Sequence, residues 1–322
     1  MRVVIIGGSG HVGTFLVPRL VDAGCEVINV TRGQRDPYQP NRAWDKVQTV
    51  TADRDVEDAA GTFGARVRDL KPEIVIDMIS FTLPSTQQLV EALRGKVTHF
   101  LHCGTIWSHG PSVAVPTVES QPRFPFGDYG IQKNAIEGYL LDEARRGNFP
   151  ATVLMPGHIV GPGWAPLNPQ GHFNPQVFET LAQGGELTLP NLGLETVHHV
   201  HADDVAQAFM GAIEHWSTSI GENFHTVSAQ ALTLRGYAEA VASWLGQSAH
   251  LRFLPWEDYR ATVSEQDAAA TWDHIAHSPN ASIDKARRLI GYQPRYSSLQ
   301  AVHESVNWLI DHNVIGVGGT PA

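Results

Sequence analysis

Residues 3–13 read Val3-Val4-Ile5-Ile6-Gly7-Gly8-Ser9-Gly10-His11-Val12-Gly13. The first four residues form a continuous apolar run, which is typical of a strand buried on both faces of a parallel sheet. The apolar positions after residue 11 recur at helical spacing, so the glycines lie between a strand and a helix. Glycine at these positions permits a tight turn, a close approach of pyrophosphate to backbone N–H groups and tight helix packing. The stretch therefore predicts a dinucleotide-binding turn made by Gly7, Gly10, His11, Val12 and Gly13.

The second strand, over residues 27–30, indicates which dinucleotide fits. Thr31 and Arg32 follow it. An acidic residue at this strand end would bind the adenosine ribose of NAD, whereas a guanidinium suits the 2′-phosphate of NADP. We therefore expect Thr31 and Arg32 to bind NADP, with NAD as the alternative if Arg32 is only a solvated loop residue. A third strand over 47–51 ends near Asp53 and Arg54, which we expect to border the adenine.

Strand and helix patterns alternate through the first half of the chain. Three more strands are predicted over 74–79, 97–103 and 151–155, with helices over 57–70 and 84–94. Such alternation is typical of a doubly wound parallel α/β sheet. We assign residues 1–160 to a dinucleotide-binding domain and 161–322 mainly to a substrate-binding region, with later segments returning to the first domain.

Tyr129 and Lys133 lie four residues apart at the start of an amphipathic helical pattern. Positions i and i+4 share one face of a helix, so the phenol and the ammonium can enter one site. A neighbouring ammonium favours the phenolate and lowers a pKa that is about 10 when unperturbed. The pair predicts a general base, although the same spacing also occurs between surface residues. Thr105 follows the fifth strand, at the edge where such sheets bind ligands, and its hydroxyl is expected to reach the cofactor.

Composition limits the classes of protein that fit. The chain has 322 residues, of which 42% are hydrophobic and 17% charged, and its net charge of −10 disfavours a general nucleic-acid-binding surface. Its two cysteines, Cys25 and Cys103, stand in apolar contexts and indicate buried thiols in a reducing compartment. The chain begins directly with a strand pattern, and no apolar run approaches membrane-spanning length. We expect a cytoplasmic protein that binds neither nucleic acid nor membrane.

With these landmarks in order, the chain resembles the extended short-chain dehydrogenase/reductases of the NAD-dependent epimerase/dehydratase type. The resemblance covers nearly the whole length. It rests on the glycine turn, Thr105, Tyr129 with Lys133, Pro156-Gly157, 161–163, 201–206 and 282–294. It implies a Rossmann-type sheet, a smaller C-terminal α+β substrate-binding region, and a homodimer formed through a four-helix contact that includes the tyrosine-bearing helix.

The resemblance also implies roles for single residues. Tyr129 is then the acid/base that exchanges a proton with the substrate oxygen while hydride moves to or from the nicotinamide. Lys133 lowers the pKa of Tyr129 and binds the nicotinamide ribose, and Thr105 donates a second hydrogen bond to the substrate oxygen. Pro156 and His158 are expected against the carboxamide end of the cofactor.

Two features restrict the reaction and the substrate. Ile106 and Trp107 stand where the 4,6-dehydratases of this family carry Asp-Glu, so dehydration by that route is not expected, because neither side chain transfers protons. Residues 147–234 contain no Lys or Arg, so a substrate pyrophosphate would be held largely without cations unless Arg235, Arg252 or Arg260 folds back.

We therefore predict an NAD(P)-dependent oxidoreductase or epimerase acting on a carbinol or ketone of a sugar-like, uncharged, non-nucleotide substrate. One alternative is a nucleotide-diphosphate-sugar 4-epimerase with unusual phosphate contacts. The other is a cofactor-sensing or RNA-binding protein, because 31–33 and 53–55 resemble a subgroup that includes chloroplast stem-loop RNA-binding proteins. The intact Thr105, Tyr129 and Lys133 argue against a sensor.

Histidines are frequent in the segments that should border the substrate. We expect neutral imidazoles to hydrogen-bond a polyhydroxy molecule, with an indole as an apolar wall. The candidates are Trp107, His109, His158, His199 and His201. Zinc is the alternative because His199 and His201 would share a strand face, but no cysteine is nearby and we predict no metal site.

Overall fold

The computed structural model describes residues 1–316 and is built around a seven-stranded sheet in which every pair of neighbouring strands is parallel. The strands are β1 Arg2–Ile6, β2 Glu26–Thr31, β3 Gln48–Thr51, β4 Ile74–Asp77, β5 His99–Cys103, β6 Ala151–Pro156, β7 His158–Val160, β8 Glu186–Pro190, β9 Thr196–Val197, β10 His199–His201, β11 Asn223–Thr226, β12 Leu232–Thr233 and β13 His250–Leu254. The helices are α1 His11–Asp22, α2 Arg54–Ala59, α3 Phe63–Asp69, α4 Leu83–Leu93, α5 Gly127–Arg145, α6 Gln176–Ala182, α7 Ala202–Glu214, α8 Trp216–Ser219, α9 Leu234–Trp244, α10 Trp256–Tyr259, α11 Glu265–His277, α12 Asp284–Ile290 and α13 Ser298–Asp311.

The order of strands across the large sheet confirms the predicted doubly wound fold. It runs β11, β6, β5, β4, β1, β2, β3, so the chain moves outward from β1 in one direction and then in the other. The order reverses between β1 and β4, and ligands bind such sheets in the crevice outside the carboxyl ends of the strands at this point. The apolar runs become strands because helices cover both faces and leave Val3, Val75 and Leu101 fully buried.

The predicted strands of this sheet agree with the observed ones to within two residues, but one helix prediction is wrong. The single helix expected over 57–70 is two short helices, α2 and α3. Gly61 lies between them with a φ of 68°, a left-handed conformation that ends a right-handed helix. The apolar spacing continues across this break, which is why periodicity alone joined the two helices.

Buried apolar side chains form two clusters. The first lies around the large sheet and also takes in later residues, such as Phe209 on α7, Phe224 on β11 and Ile290 on α12. The second is formed by α6, α9, α13 and the short sheets, and Phe178 and Tyr237 are among its fully buried side chains. The chain therefore leaves the large sheet after β6 and returns to it at β11.

No helix among residues 1–316 combines the length and apolar composition needed to cross a membrane. The longest helix, α5, has 19 residues and carries Asp128 in its first turn and Arg145 in its last. This placement complements the helix dipole, which favours negative charge at the start and positive charge at the end.

Candidate active site

The glycine-rich turn lies at the carboxyl end of β1. At two of its positions, Gly7 and Gly13, a larger residue does not fit. Gly7 has a φ of 84°, in the region that favours glycine. A Cβ on Gly13 would lie 1.9 Å from the carbonyl oxygen of Gly8, so the first turn of α1 packs directly on the preceding turn. The backbone at Gly10 and the N-terminus of α1 are thereby available to a pyrophosphate, and the chain fits the predicted dinucleotide.

The sequence reasoning missed Asn29, which holds this turn from the neighbouring strand. Its Oδ1 accepts a hydrogen bond from the N–H of Gly8 at 3.0 Å, and its Nδ2 donates to the hydroxyl of Ser9 at 2.9 Å. Asn29 is buried in the middle of β2. The available signal was a single amide within an otherwise apolar strand, since buried polar groups are nearly always hydrogen-bonded.

A cavity of about 310 Å³ opens beside the glycine turn and collects most of the predicted cofactor residues. Its walls include Gly7, Gly10, Thr31, Arg32, Asp53 and Arg54. Arg32 and Arg35 are exposed side chains on this wall. Val12, in contrast, is buried in the main core, so only its backbone is placed to face a ligand.

Asp53 and Arg54 have structural partners that the sequence did not reveal. Asp53 caps α2, because its Oδ1 accepts hydrogen bonds from the N–H groups of Asp55 and Val56 at 3.0 and 3.2 Å. The guanidinium of Arg54 donates to Asp77 at 2.6 Å and is buried. Both residues shape the cavity wall, but the charge of Arg54 is already paired.

His11 connects the cofactor crevice to the second half of the chain. Its ring is stacked on Trp164 with 3.6 Å between centroids, and its Nε2 lies 2.9 Å from the hydroxyl of Tyr38. Burial, aided by the charge of Arg35, lowers the pKa of His11 to about 4. The imidazole of His11 is therefore neutral and packs against Trp164 and Tyr38. Only the backbone of His11 is expected to contact the cofactor.

Thr105, Tyr129 and Lys133 come together at the carboxyl end of β5. Thr105 follows β5 and starts a 3-10 helix, Ile106–His109, and its Oγ1 accepts a hydrogen bond from the N–H of Trp107 at 3.2 Å. Tyr129 and Lys133 lie one turn apart on α5. The ammonium of Lys133 donates to the carbonyl oxygens of Ser80 and Cys103 at 2.7 and 2.9 Å, which fixes this helix to β5 and to the end of β4.

The pKa of Tyr129 differs from the expectation of a lowered value. Tyr129 is 47% exposed as a whole residue, but its phenol oxygen lies among protein atoms near Thr105. Burial of this group raises the pKa of Tyr129 to about 12, while a hydrogen-bonding contact with the Thr105 hydroxyl opposes the shift. Burial also lowers the pKa of Lys133, whose ammonium is directed to the two carbonyl oxygens. Desolvation of the phenol therefore outweighs any effect of the nearby ammonium.

Pro156 and His158 flank the turn that leaves β6. A Cβ on Gly157 between them would lie 2.3 Å from the carbonyl oxygen of His198, so this turn packs tightly against the residue that precedes β10. The ring of His158 lies 4.8 Å from Trp107 and 4.7 Å from His274, measured between centroids. Its Nε2 is buried without a hydrogen-bond partner among residues 1–316.

The sequence did not single out α11, which closes this side of the site. Trp107 donates from its indole Nε1 to Asp273 at 2.9 Å and is stacked on His277 with 4.3 Å between centroids. Trp107 is 7% exposed, so it offers little surface to a substrate. The contact joins residues more than 160 positions apart, and no local pattern predicts such docking.

The other three candidate substrate residues, His109, His199 and His201, are buried. Each has at least one ring nitrogen close to a partner within the protein. His109 lies with its Nε2 2.8 Å from the Nε2 of His225. The Nε2 of His199 lies 3.0 Å from the carbonyl oxygen of Leu167. His201 caps α7 by accepting a hydrogen bond from the N–H of Asp203, and its other nitrogen lies 2.7 Å from Glu304. His201 therefore supports the fold between α7 and α13.

Within residues 1–316, no three His, Cys, Asp or Glu side chains are arranged to hold a metal ion. His199 and His201 lie on one short strand, but their rings are directed to different partners, Leu167 and Glu304. Burial lowers the pKa of His199 to about 4, and burial lowers the pKa of His158 as well. The imidazoles of His158 and His199 are therefore neutral at pH 7.

Fold and site together define an NAD(P)-dependent enzyme of the extended short-chain dehydrogenase/reductase type. Residues 3–225 match the NAD-dependent epimerase/dehydratase family, and the chain belongs to that family.

Similar proteins include both reductases and epimerases. The 2′-dehydrokanamycin reductase of Streptomyces kanamyceticus is 26% identical over 278 residues, covering 85% of this chain and 76% of the reductase. The UDP-glucose 4-epimerase of Mycolicibacterium smegmatis is 23% identical over 334 residues, covering 96% of this chain and 98% of the epimerase. Among solved structures, a UDP-glucuronic acid 4-epimerase from Bacillus cereus in complex with NAD has a TM-score of 0.72 at 18% identity, covering 97% of this chain and 99% of that one.

Proposed function

We propose that the protein catalyses NADP-dependent hydride transfer, as an oxidoreductase or epimerase, on a carbinol or ketone of an uncharged, sugar-like, non-nucleotide molecule. One observation carries the proposal. Thr105, Tyr129 and Lys133 meet at the carboxyl edge of the sheet, the edge that also carries the glycine turn and its crevice. A dinucleotide bound at that turn and extending along this edge would bring its nicotinamide end to the three side chains.

The residues have separate tasks in such a reaction. The bound nicotinamide supplies or accepts the hydride. Tyr129 takes the proton of a substrate alcohol at its phenol oxygen, or returns it to a ketone oxygen in the reverse direction. Thr105 Oγ1 accepts a hydrogen bond from Trp107 and lies near the phenol of Tyr129, and its proton would turn to the substrate oxygen when a substrate is bound. Lys133 holds α5 against β5 and contributes positive charge one turn from Tyr129.

The preference for NADP is supported by the crevice wall. Arg32 and Arg35 are exposed there, and both guanidinium groups can reach a 2′-phosphate without first breaking a buried ion pair. Arg54, whose charge is already neutralised by Asp77, is not needed for this preference. NAD is the alternative cofactor.

An uncharged substrate is supported by the positions of Arg235 and Arg260, which follow the segment 147–234 that contains no Lys or Arg. Arg235 forms an ion pair with Glu239 at 2.8 Å, and Arg260 with Glu257 at 3.4 Å, all on exposed side chains. His158 on β7 and His199 on β10 lie opposite each other on paired strands, and their imidazoles are neutral. Such rings can hydrogen-bond the hydroxyl groups of an uncharged substrate. The similarity to a 2′-dehydrokanamycin reductase agrees with a sugar-like substrate without a nucleotide.

A nucleotide-diphosphate-sugar 4-epimerase is the second candidate. It is favoured by the UDP-glucose 4-epimerase relative, which aligns with nearly the whole chain. In that case the substrate pyrophosphate must be held by backbone N–H groups, by the exposed Arg252, or by Arg235 and Arg260 after they leave their ion pairs.

The two candidates are separated by one experiment. The purified protein is incubated with NADP or NAD and a panel of aldoses, polyols, aminocyclitol glycosides and UDP-sugars, and the absorbance of the reduced cofactor is followed. Oxidation or reduction of free sugars and glycosides supports the proposal. Interconversion of UDP-sugars without net cofactor turnover supports the epimerase. Cofactor binding without turnover of any substrate would contradict both.

We also propose a homodimer formed through α4 and α5, in the cytoplasm. Ile131 is an apolar side chain on α5 that is 48% exposed. The thiols of Cys25 and Cys103 are free, which fits a reducing compartment. Sedimentation equilibrium measures the assembly, and Ile131→Glu should shift it towards the monomer.

A further inference from the structure

Behind Thr105 lies a polar network that the proposed mechanism does not use. Ser108, in the 3-10 helix that follows Thr105, has its hydroxyl 2.9 Å from the carbonyl oxygen of Thr105 and 3.0 Å from Glu137 Oε2. Arg123 Nη1 donates to the same hydroxyl at 2.5 Å. Since a serine hydroxyl has one proton, it accepts from Arg123 and donates to one of the two oxygens.

The charged part of this network is a two-pronged ion pair. Arg123 donates from Nη1 to Glu137 Oε2 at 2.7 Å and from Nη2 to Oε1 at 2.5 Å. Asn223 adds a hydrogen bond to Oε1 at 2.6 Å. The side chains of Arg123 and Glu137 are 16% and 4% exposed. Burial of such a pair costs solvation that its attraction hardly repays, so stability alone gives little reason for it.

The network connects the 3-10 helix that follows Thr105 to α5, which carries Tyr129 and Lys133. Glu137 lies on α5 one turn beyond Lys133 and two turns beyond Tyr129, whereas Ser108 lies one turn beyond Thr105. Arg123 comes from the loop between the two elements. The Thr105 turn is thus attached to the helix that carries the acid/base.

We propose that the Arg123–Glu137 ion pair, acting through Ser108, positions Thr105 against Tyr129. Ser108, Arg123 and Glu137 are positioning residues, since they contact neither the phenol nor the crevice. The hydroxyl of Thr105 must meet the substrate oxygen within a fraction of an ångström, and a shift of about 1 Å can cost about a hundredfold in rate. A fixed polar contact specifies this distance better than apolar packing does.

The inference rests on the proposed role of Thr105, and a double-mutant cycle tests the two separately. Thr105→Val should lower kcat by about a hundredfold or more, the usual cost of losing such a donor. Ser108→Ala should lower kcat by about tenfold with an unchanged Kd for NADP. In the Thr105→Val background, Ser108→Ala should have no further effect on kcat, because it acts only through Thr105.

Each outcome decides something. An unchanged kcat in Thr105→Val refutes the proposed function. A large effect of Thr105→Val, together with an effect of Ser108→Ala that is absent or is equal in both backgrounds, refutes the positioning role. Arg123→Met with Glu137→Met removes both charges without leaving one unpaired, and should match Ser108→Ala in kcat while remaining folded. Arg19→Met breaks the ion pair between α1 and Asp203 on α7, which involves none of the residues of this network, and should leave kcat unchanged.

Discussion

The high pKa of Tyr129 affects the two directions of the proposed reaction differently. Burial raises the pKa of Tyr129 to about 12, so the phenol is protonated at pH 7 and is already competent to donate a proton to a ketone. Alcohol oxidation requires the phenolate, whose fraction rises about tenfold for each unit by which the pH approaches the pKa from below. In the proposed mechanism, the positive charges of Lys133 and of a bound, oxidised nicotinamide would lower that pKa during alcohol oxidation.

Replacement of Tyr129 by phenylalanine removes the proton donor and keeps the ring. For Tyr129→Phe we expect an unchanged Kd for NADP and a turnover lower by about two orders of magnitude or more, the usual size of general acid/base catalysis. Tyr139→Phe on the same helix is the matched control and should retain turnover. Steady-state kinetics with titration of cofactor binding provide the measurement, and full activity of the Tyr129→Phe variant would remove Tyr129 from the mechanism.

A second residue-level prediction concerns the cofactor. Arg32→Asp replaces a charge that attracts a 2′-phosphate by one that repels it and can bond a ribose hydroxyl, so the ratio of the Kd values for NADP and NAD should rise at least about tenfold. Arg42→Asp makes the same charge change at an exposed position of the following segment. An equal shift in both variants would show that only the long-range field has changed.

At the scale of single elements, the helical glycines of α1 and α5 offer a matched pair. A Cβ at Gly13 meets backbone atoms of Gly8, whereas a Cβ at Gly138 meets nothing within 4 Å. Gly13→Ala should therefore lower the free energy of unfolding by about 3 kcal/mol or more through overpacking. Gly138→Ala should raise it by about 0.5–1 kcal/mol, because alanine loses less backbone entropy in a helix. Urea unfolding measures both, and similar values would contradict the packing of α1 on the glycine turn.

Helix α5 shows where sequence patterns reached their limit. The apolar spacing of this helix in the sequence predicts Ile131, Ala135, Ile136, Tyr139 and Leu140 on its buried face. Ile136 and Leu140 are buried, but Ile131 is 48% exposed, and Lys133 and Glu137 occupy the buried stripe instead. Charged side chains are buried only when partners elsewhere in the chain receive them, and those partners are not visible in a local pattern. Here the partners are the carbonyl oxygen of Cys103 and the guanidinium of Arg123.

Six strands of the large sheet, in contrast, were predictable from local patterns, because a strand covered on both faces is mostly apolar. The seventh, β11, was not predicted, because its sequence Asn-Phe-His-Thr is not an apolar run although all four residues are buried. The glycine spacing likewise indicated the turn that Gly7 and Gly13 form. The docking of α11 on Trp107, the capping role of His201 and the ion pairs of Arg54 were not predictable. Each depends on which residues meet after the two parts of the chain have packed.

For the whole molecule, the buried histidines predict a loss of stability in acid. Burial lowers the pKa values of His99 and His199 to about 4 and that of His198 to about 3. In the unfolded chain these groups titrate near pH 6.5, so below that pH the unfolded state takes up protons that the folded state refuses. Their contribution to stability is complete above about pH 6.5 and is lost as the pH falls towards 4.

The urea midpoint should therefore change little between about pH 7 and 8 and fall steadily below about pH 6.5. His99→Gln should flatten this decline, because one of the neutral buried groups is removed. His250→Gln, at an exposed position, should not alter the slope. A midpoint that stays constant down to about pH 5 would show that the buried imidazoles do not resist protonation.

We propose that the two apolar clusters mark the division expected near residue 160, with α7, β11 and α12 belonging to the dinucleotide-binding part. Limited proteolysis should then cut first in the connections between the two clusters. Release of a stable fragment ending near residue 160 would contradict the return of these later elements.

The large sheet cannot be completed until β11 has been synthesised. It covers the outer edge of β6, yet it is made from residues 223–226 of a chain of 322. While the ribosome is still translating the segment in between, β6 presents an unpaired edge that another nascent chain can join. The nucleotide-binding half therefore closes late, and we expect chaperones that shield growing chains to hold it until residue 226 has left the exit tunnel.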